Sequence, residues 1–207
     1  PLGLIKEQHI YLNLNDFIPL IAYVRPDAIE IHTAPGRGKA FDKTLHALLN
    51  ADIPLKRIAV SCGIEGHCIN EKELAKELWQ RYASLKKYGQ RPIWQLDGRP
   101  MSGDIGNITS GVSVQLWEKI RALAPPGPLQ LAGGTNEKTI NSLEGTLRPE
   151  GIAFGGIARK LLQPLINEAH SKNKKLREWP EGLEKALSKA SKLIDPWLFN
   201  KSGTKPC

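Results

Sequence analysis

The chain has 207 residues, 41% hydrophobic and 24% charged, a composition that buries a sizeable core and excludes a disordered or collagen-like polypeptide. No apolar run is long enough to cross a membrane as a helix. The formal net charge of +8 invites a nucleic-acid or acidic partner, but from Ser171 onward nine Lys or Arg stand against four Asp or Glu, so most of the excess lies in the tail.

Lys172, Lys174, Lys175 and Arg177 form the one basic cluster of that tail, with no RNA-binding signature around it. It reads as a solvated basic surface, which disfavours nucleic acid as a partner. Cys62, Cys68 and Cys207 are too few and odd in number for a disulfide framework, and a reducing, cytoplasmic compartment is expected. The start, Pro1-Leu2-Gly3-Leu4-Ile5, has neither an initiator Met nor a basic leader. A piece of a longer protein is expected, without a signal peptide.

Residues 1 to 14 read as a strand or hairpin arm. Asn15 or Asp16 can cap a helix through Val24, and Arg25-Pro26-Asp27 ends it because a residue before proline avoids helical angles. Ala28 to Thr33 is the first clear strand, where a period of two puts Glu30 and His32 on one face and Ile29, Ile31 and Thr33 on the other. The turn Ala34 to Lys39 is no Walker A loop, since Thr33 stands where Gly is needed and Ala40 where Ser or Thr is needed. Phe41, Leu45, Leu48 and Leu49 give helical spacing up to Asn50, and Arg57 to Cys62 is a second strand.

After a loop at Gly63 to Cys68, Asn70 with Glu73 predicts a capping box, and Leu74, Leu78, Tyr82 and Leu85 form the buried stripe of a helix ending near Gly89. Pro92 to Asp97 is a third strand, with Gln95 and Asp97 sharing a face. Gly98 to Thr109 is a long polar loop holding Arg99, Ser102, Asp104 and Asn107, and sites are often built on such loops. Val112, Leu116 and Ile120 mark a helix that Pro125-Pro126-Gly127-Pro128 breaks.

Two short apolar strands follow, each running into paired glycines and then a helix: Gly133-Gly134 with Thr135 or Asn136 as cap, and Gly155-Gly156 leading into a helix from Ile157 to His170. A basic linker precedes a last amphipathic helix from Pro180 to Ile194, which Asp195-Pro196 is expected to stop. Trp197-Leu198-Phe199 is then an anchor packing back on the domain. The fold class predicted is α/β: about five βα units on a mostly parallel sheet, curved as a partial (β/α) TIM-like barrel over residues 1–170. Residues 171–207 supply the linker, the helix and the tail.

Repeated βα units of one hand bring the strand C-termini to one side, so Glu30, His32, Ser61, Cys62, Asp97, Arg99 and the glycine pairs converge. Glu30, His32 and Asp97 are the candidate acid–base residues, and the alternative is that inward polar groups satisfy one another. Gly133, Gly134, Thr135, Asn136, Gly155 and Gly156, with Arg99, Ser102 and Asp104, are the candidate ligand-binding set. Phosphate or a flavin nucleotide would sit on exposed backbone N–H groups there, whereas the bland reading makes the glycines turn formers. Cys62, His67 and Cys68 carry metal-ligand atoms, but a structural zinc takes four ligands and neighbours in sequence seldom converge on one ion. Without a Cys-x-x-Cys, no metal or iron–sulfur site is expected in this chain.

Ile29-Glu30-Ile31-His32-Thr33, the run Trp94-Gln95-Leu96-Asp97-Gly98-Arg99-Pro100-Met101-Ser102-Gly103-Asp104-Ile105-Gly106, and Gln130-Leu131-Ala132-Gly133-Gly134-Thr135-Asn136 resemble one family. It is the C-terminal domain of the cyanobacterial light-dependent period proteins, and the resemblance runs from Pro1 to about His170. What it implies is a regulator rather than an enzyme: 4Fe–4S clusters, with ligands upstream of Pro1, sense cellular redox state and report it to the circadian clock and its histidine kinase. No catalytic residues come with the resemblance. A phosphate- or flavin-nucleotide-binding barrel enzyme or ligand-binding domain is the alternative.

Overall fold

The computed structural model describes residues 14–51, 53–63, 69–98, 111–143 and 147–198. Eleven principal elements follow one another in the described chain: α1 (Leu14–Val24), β1 (Ala28–His32), α2 (Gly38–Asn50), β2 (Arg57–Cys62), α3 (Glu71–Lys87), β3 (Pro92–Asp97), α4 (Val112–Ile120), β4 (Leu129–Ala132), β5 (Gly151–Ile152), α5 (Gly156–Ser171) and α6 (Pro180–Leu198). The five strands form one sheet in the order β1-β2-β3-β4-β5, and every neighbouring pair is parallel. Sequence order without a reversal is the strand order of a (β/α) barrel rather than of a doubly wound sheet. Crossovers of one hand then stack the helices on one face.

Register explains how the strands sort their side chains. Ile31, Val60, Trp94 and Leu129 are mutual partners along one row and Cys62, Leu96, Leu131 and Ile152 along another. These rows join Phe41, Leu45 and Leu48 of α2, Leu74, Leu78 and Leu85 of α3, and Val114, Trp117 and Ile120 of α4 in one core. Each fully buried aliphatic side chain contributes about 1.5–3 kcal/mol, so these rows carry most of the cohesion of sheet and helices. On the other face His32, Ser61, Gln95, Gln130 and Gly151 are register partners, with Asp97 opposite Ala132 one step further on. That polar and small-residue face is where the candidate site lies.

Local chemistry sets the ends. Asn70 accepts from the backbone of Lys72 and Glu73 while Glu73 accepts from the Asn70 N–H, the predicted capping box. A side chain at Gly127 would collide with the Pro92 carbonyl and the buried Trp94 indole, at 2.9 Å from each, so the turn into β4 requires glycine. Asn173, at φ 52, closes α5 in the left-handed conformation, and the Lys174 N–H returns to the Ala169 carbonyl.

The described elements differ from the sequence reading in detail. The α1 helix already includes Leu14, which puts Asn15 and Asp16 inside its first turn rather than at its cap. The strand β5 has two residues. Instead of a full helix, the segment after β4 makes a single 3-10 turn, Thr139–Ser142, because Asn136 and Thr139 spend their side chains on local turns: Lys138 N–H donates to Asn136 Oδ1 and Asn136 N–H to Thr139 Oγ1, both at 2.8 Å. Finally, α6 runs through Pro196 to Leu198. In the last turn a proline forfeits one backbone bond, and Trp197 packed against the core offsets it.

Candidate functional site

The site is assembled by three strand ends. A two-residue step along β1 sets Glu30 and His32 side by side, and parallel register puts Ser61 of β2 opposite His32 and Gln95 of β3 opposite Ser61. Asp97 follows Gln95 on the same face at the C-terminal end of β3. The imidazole of His32 is held at both nitrogens: Nδ1 lies 2.6 Å from Ser61 Oγ and Nε2 lies 3.1 Å from Glu30 Oε1. Gln95 Nε2 donates to Glu30 Oε1 and, at 3.5 Å, to Asp97 Oδ1.

Exposure grades across the cluster. Ser61 is 1% exposed and Gln95 8%, whereas the His32 side chain is 44% exposed and that of Glu30 33%. Burial pushes the Asp97 carboxyl above the ordinary carboxylate range; the nearby Ser61 hydroxyl counters this, the Glu30 charge adds to it, and His32 and Gln95 pull the other way. A carboxyl so placed holds a proton more readily than a free one. The candidate acid–base residues Glu30, His32 and Asp97 thus belong to one hydrogen-bonded group, in which Gln95 links the two carboxyls and Ser61 holds the imidazole from its other side.

Cys62, adjacent to Ser61, points the other way. It is 2% exposed in the apolar core, and burial above all pushes its thiol up to about 12, with Arg81 lowering it and Asp97 and Glu77 raising it. Such a thiol is neither a nucleophile nor a metal ligand at neutral pH. Cys62 is the one cysteine among the described residues, which hold no group of three metal-ligating side chains. A four-thiolate cluster does not fit them.

Arg81 was missed by the sequence reading. It is 2% exposed on α3, pairs with Glu77, and donates from Nη2 to Thr33 Oγ1 (3.1 Å) and the Ala34 carbonyl (2.9 Å), fixing the chain where it leaves β1. Its signal is in the sequence: position 81 lies seven residues after Leu74 and four before Leu85, on the apolar stripe itself.

The glycine loops occupy the ends of β4 and β5. Gly133 and Gly134 stand at φ 67 and 79, a conformation that favours glycine. Thr135 Oγ1 donates to the Ala153 carbonyl and ties the two loops together. Gly155 is the N-cap of α5 without a side-chain cap, and a Cβ at Gly155 or Gly156 would meet open space. Arg159 is exposed. Arg99, Ser102 and Asp104, like His67 and Cys68, lie outside the described residues.

No helix among the described residues is long and apolar enough to cross a membrane. The chain is 35% identical over 204 residues to Light dependent period A of Synechococcus elongatus, covering 95% of this chain and 56% of that protein. It therefore spans about half of the length of this curated relative. A solved structure, the YdjI aldolase of Escherichia coli K12, is similar at 11% identity and a TM-score of 0.36 over 92% of this chain and 89% of that one, a likeness too slight to bear on fold or activity. The model of the Light dependent period A C-terminal domain matches residues 20–196, past the point near His170 where the motifs give out, and the chain belongs to that family.

Proposed function

We propose that this chain is the C-terminal barrel portion of a cytoplasmic redox-sensing regulator that adjusts the light-dependent period of the circadian clock. In this reading 4Fe–4S clusters carried elsewhere in the parent protein supply the redox response, and clock-input proteins such as a histidine kinase are the partners. The observation that carries the proposal is the family match over residues 20–196. In this reading the sheet serves as scaffold and partner surface, and Cys62, buried and protonated, is no cluster ligand. Exchanging this chain for the corresponding part of Light dependent period A in Synechococcus elongatus is the test. Retained dependence of the clock period on light intensity is expected, and a period that no longer responds to light, with the chimera at normal abundance, overturns the reading.

One set of observations favours a second reading, a phosphate or flavin-nucleotide site. The α5 N-terminus has free space at Gly155 and Gly156 and no side-chain cap, and Thr135 brings the Gly133–Asn136 loop against it. Titration calorimetry with flavin mononucleotide and with inorganic phosphate decides: binding abolished by Gly156→Val supports a ligand domain, and no heat with either probe leaves the glycines as turn formers.

A further inference from the structure

The row of core side chains Cys62, Leu96 and Leu131 ends at Ile152 on β5, and beyond it close packing gives way to space. A cavity of about 540 Å³ opens there between β5, α5 and α6. Protein interiors hold few voids larger than a water molecule, and small-molecule sites run from roughly 300 to 1,000 Å³, so the gap has the size of a binding site rather than of a packing defect. Both helices leave room with a small residue. Ala158 of α5 and Ala190 of α6 stand in opposite walls, each one turn before a leucine on the same face, Leu161 and Leu193. Ile152, Ala158, Leu161, Ala190 and Trp197 are half-buried, as side chains that face a space and not a neighbour.

The walls carry little polarity. Glu150 is their one titratable residue among those described, and its Oε2 accepts the Leu129 N–H at 2.9 Å. With no cation among the described wall residues, an ionised guest would give up its water against apolar carbon without a partner. Trp197 supplies the polar feature suited to a guest: its ring packs against the core, and its indole N–H has no hydrogen-bond partner.

We propose that the gap between β5, α5 and α6 is a binding site for one uncharged, largely apolar small molecule that carries a hydrogen-bond acceptor for the Trp197 N–H. Ile152 and the leucines of both helices enclose the apolar body, whose removal from water supplies the affinity. Because the site recognises no charge, it is separate from an anion held at the α5 N-terminus. Because Ile152 lies in the same row as Cys62 and Leu96, on the helix side of the sheet, it is also separate from the polar group at the ends of β1, β2 and β3. A guest there touches β5, α5 and α6 at once, so its binding fastens the C-terminal helices to the edge of the sheet.

The test is a fluorescence titration of the 207-residue chain with prodan, a neutral naphthalene dye with one ketone acceptor. Saturable uptake of one dye per chain, with blue-shifted emission, is expected. Ala158→Leu and Ala190→Leu fill the gap from opposite walls, and each is expected to abolish uptake while unfolding at the temperature of the wild type or above it. Should one of them not fold, the other decides. Trp197→Phe keeps an aromatic wall and removes the donor, and it is expected to weaken binding about fivefold. Leu187→Ser removes an exposed leucine of α6 outside the gap and is expected to leave binding unchanged. A wild type that takes up no dye, or uptake that survives in the folded leucine variants, overturns the proposal.

Discussion

Cys62 and Ser61 are consecutive residues with opposite fates, set by the two-residue period of β2. The hydroxyl joins the polar face, and the thiol is buried among Val60, Leu96 and Leu131 on the helix side. Because burial raises the thiol from 9.0 to about 12, its contribution to stability has a definite sign. A folded value above the unfolded one means the stability is fully present below about pH 9 and is lost as pH rises toward 12. At about pH 10.5 the loss from this one group is about 2 kcal/mol. Urea denaturation of the wild type and Cys62→Ala at neutral pH and near pH 10.5 checks it. Cys62→Ala is expected to start lower, through the cavity it leaves, but to lose about 2 kcal/mol less on the alkaline step. An equal alkaline loss in both proteins would show that the thiol is not sequestered.

The elements differ in how openly the sequence declares them. Helix α3 is the plainest: its cap, its apolar stripe and its glycine stop at Gly89 all lie in the order that elementary geometry demands. Strands β1 to β3 were equally legible, and with them the shared face of Glu30 and His32. What no local pattern announces is the connection between those residues, because the contact of His32 with Ser61 depends on the register of two strands 29 positions apart. The segment after β4 was misjudged since Asn136 and Thr139 serve a turn as readily as a helix cap, and the stop at Pro196 because packing of Trp197 outweighs one lost backbone bond. Lys172 gave another surprise: counted as part of a solvated basic cluster, it lies with Nζ 3.6 Å from the Trp179 ring centre and pairs with Glu168 at 2.8 Å. The strongest element also yields the simplest prediction. Asn70→Ala removes the acceptor of two N–H groups and is expected to cost about 1 kcal/mol by denaturant unfolding, with Asn70→Asp nearly neutral; a loss of this size in both variants would locate the effect outside the cap.

Over the whole described chain, the sheet divides the molecule into a dry side held by α2, α3 and α4 and a polar side formed by strand ends. The C-terminal helices complete the structure at the β5 edge. There Ile152 and Phe154 line a cavity of about 540 Å³ with Leu161 and Leu162 of α5 and Leu193 and Trp197 of α6. Leu193 is 5% exposed and Trp179, at the start of α6, 7% exposed, while Leu165 and Ala169 of α5 lie buried beside them. A side chain at Gly182 would strike the Trp179 ring, so the first turn of α6 is fitted to that indole. Burial of two large side chains at about 1.5–3 kcal/mol each gives the α6 contact about 3–6 kcal/mol, a large part of the 5–15 kcal/mol of an ordinary domain. Removing everything after Ser171 is therefore expected to lower the unfolding free energy by several kcal/mol and to expose the apolar faces of α5 and β5. Urea unfolding would read the first effect and binding of an anionic naphthalene dye the second. A truncated chain that unfolds at the same urea concentration and binds no dye would show instead that residues 171–207 are an independent appendage, as their basic composition alone implies. Because the contact is apolar, the loss on truncation should persist in high salt, whereas an attachment through the lysines of α6 would weaken as salt screens it.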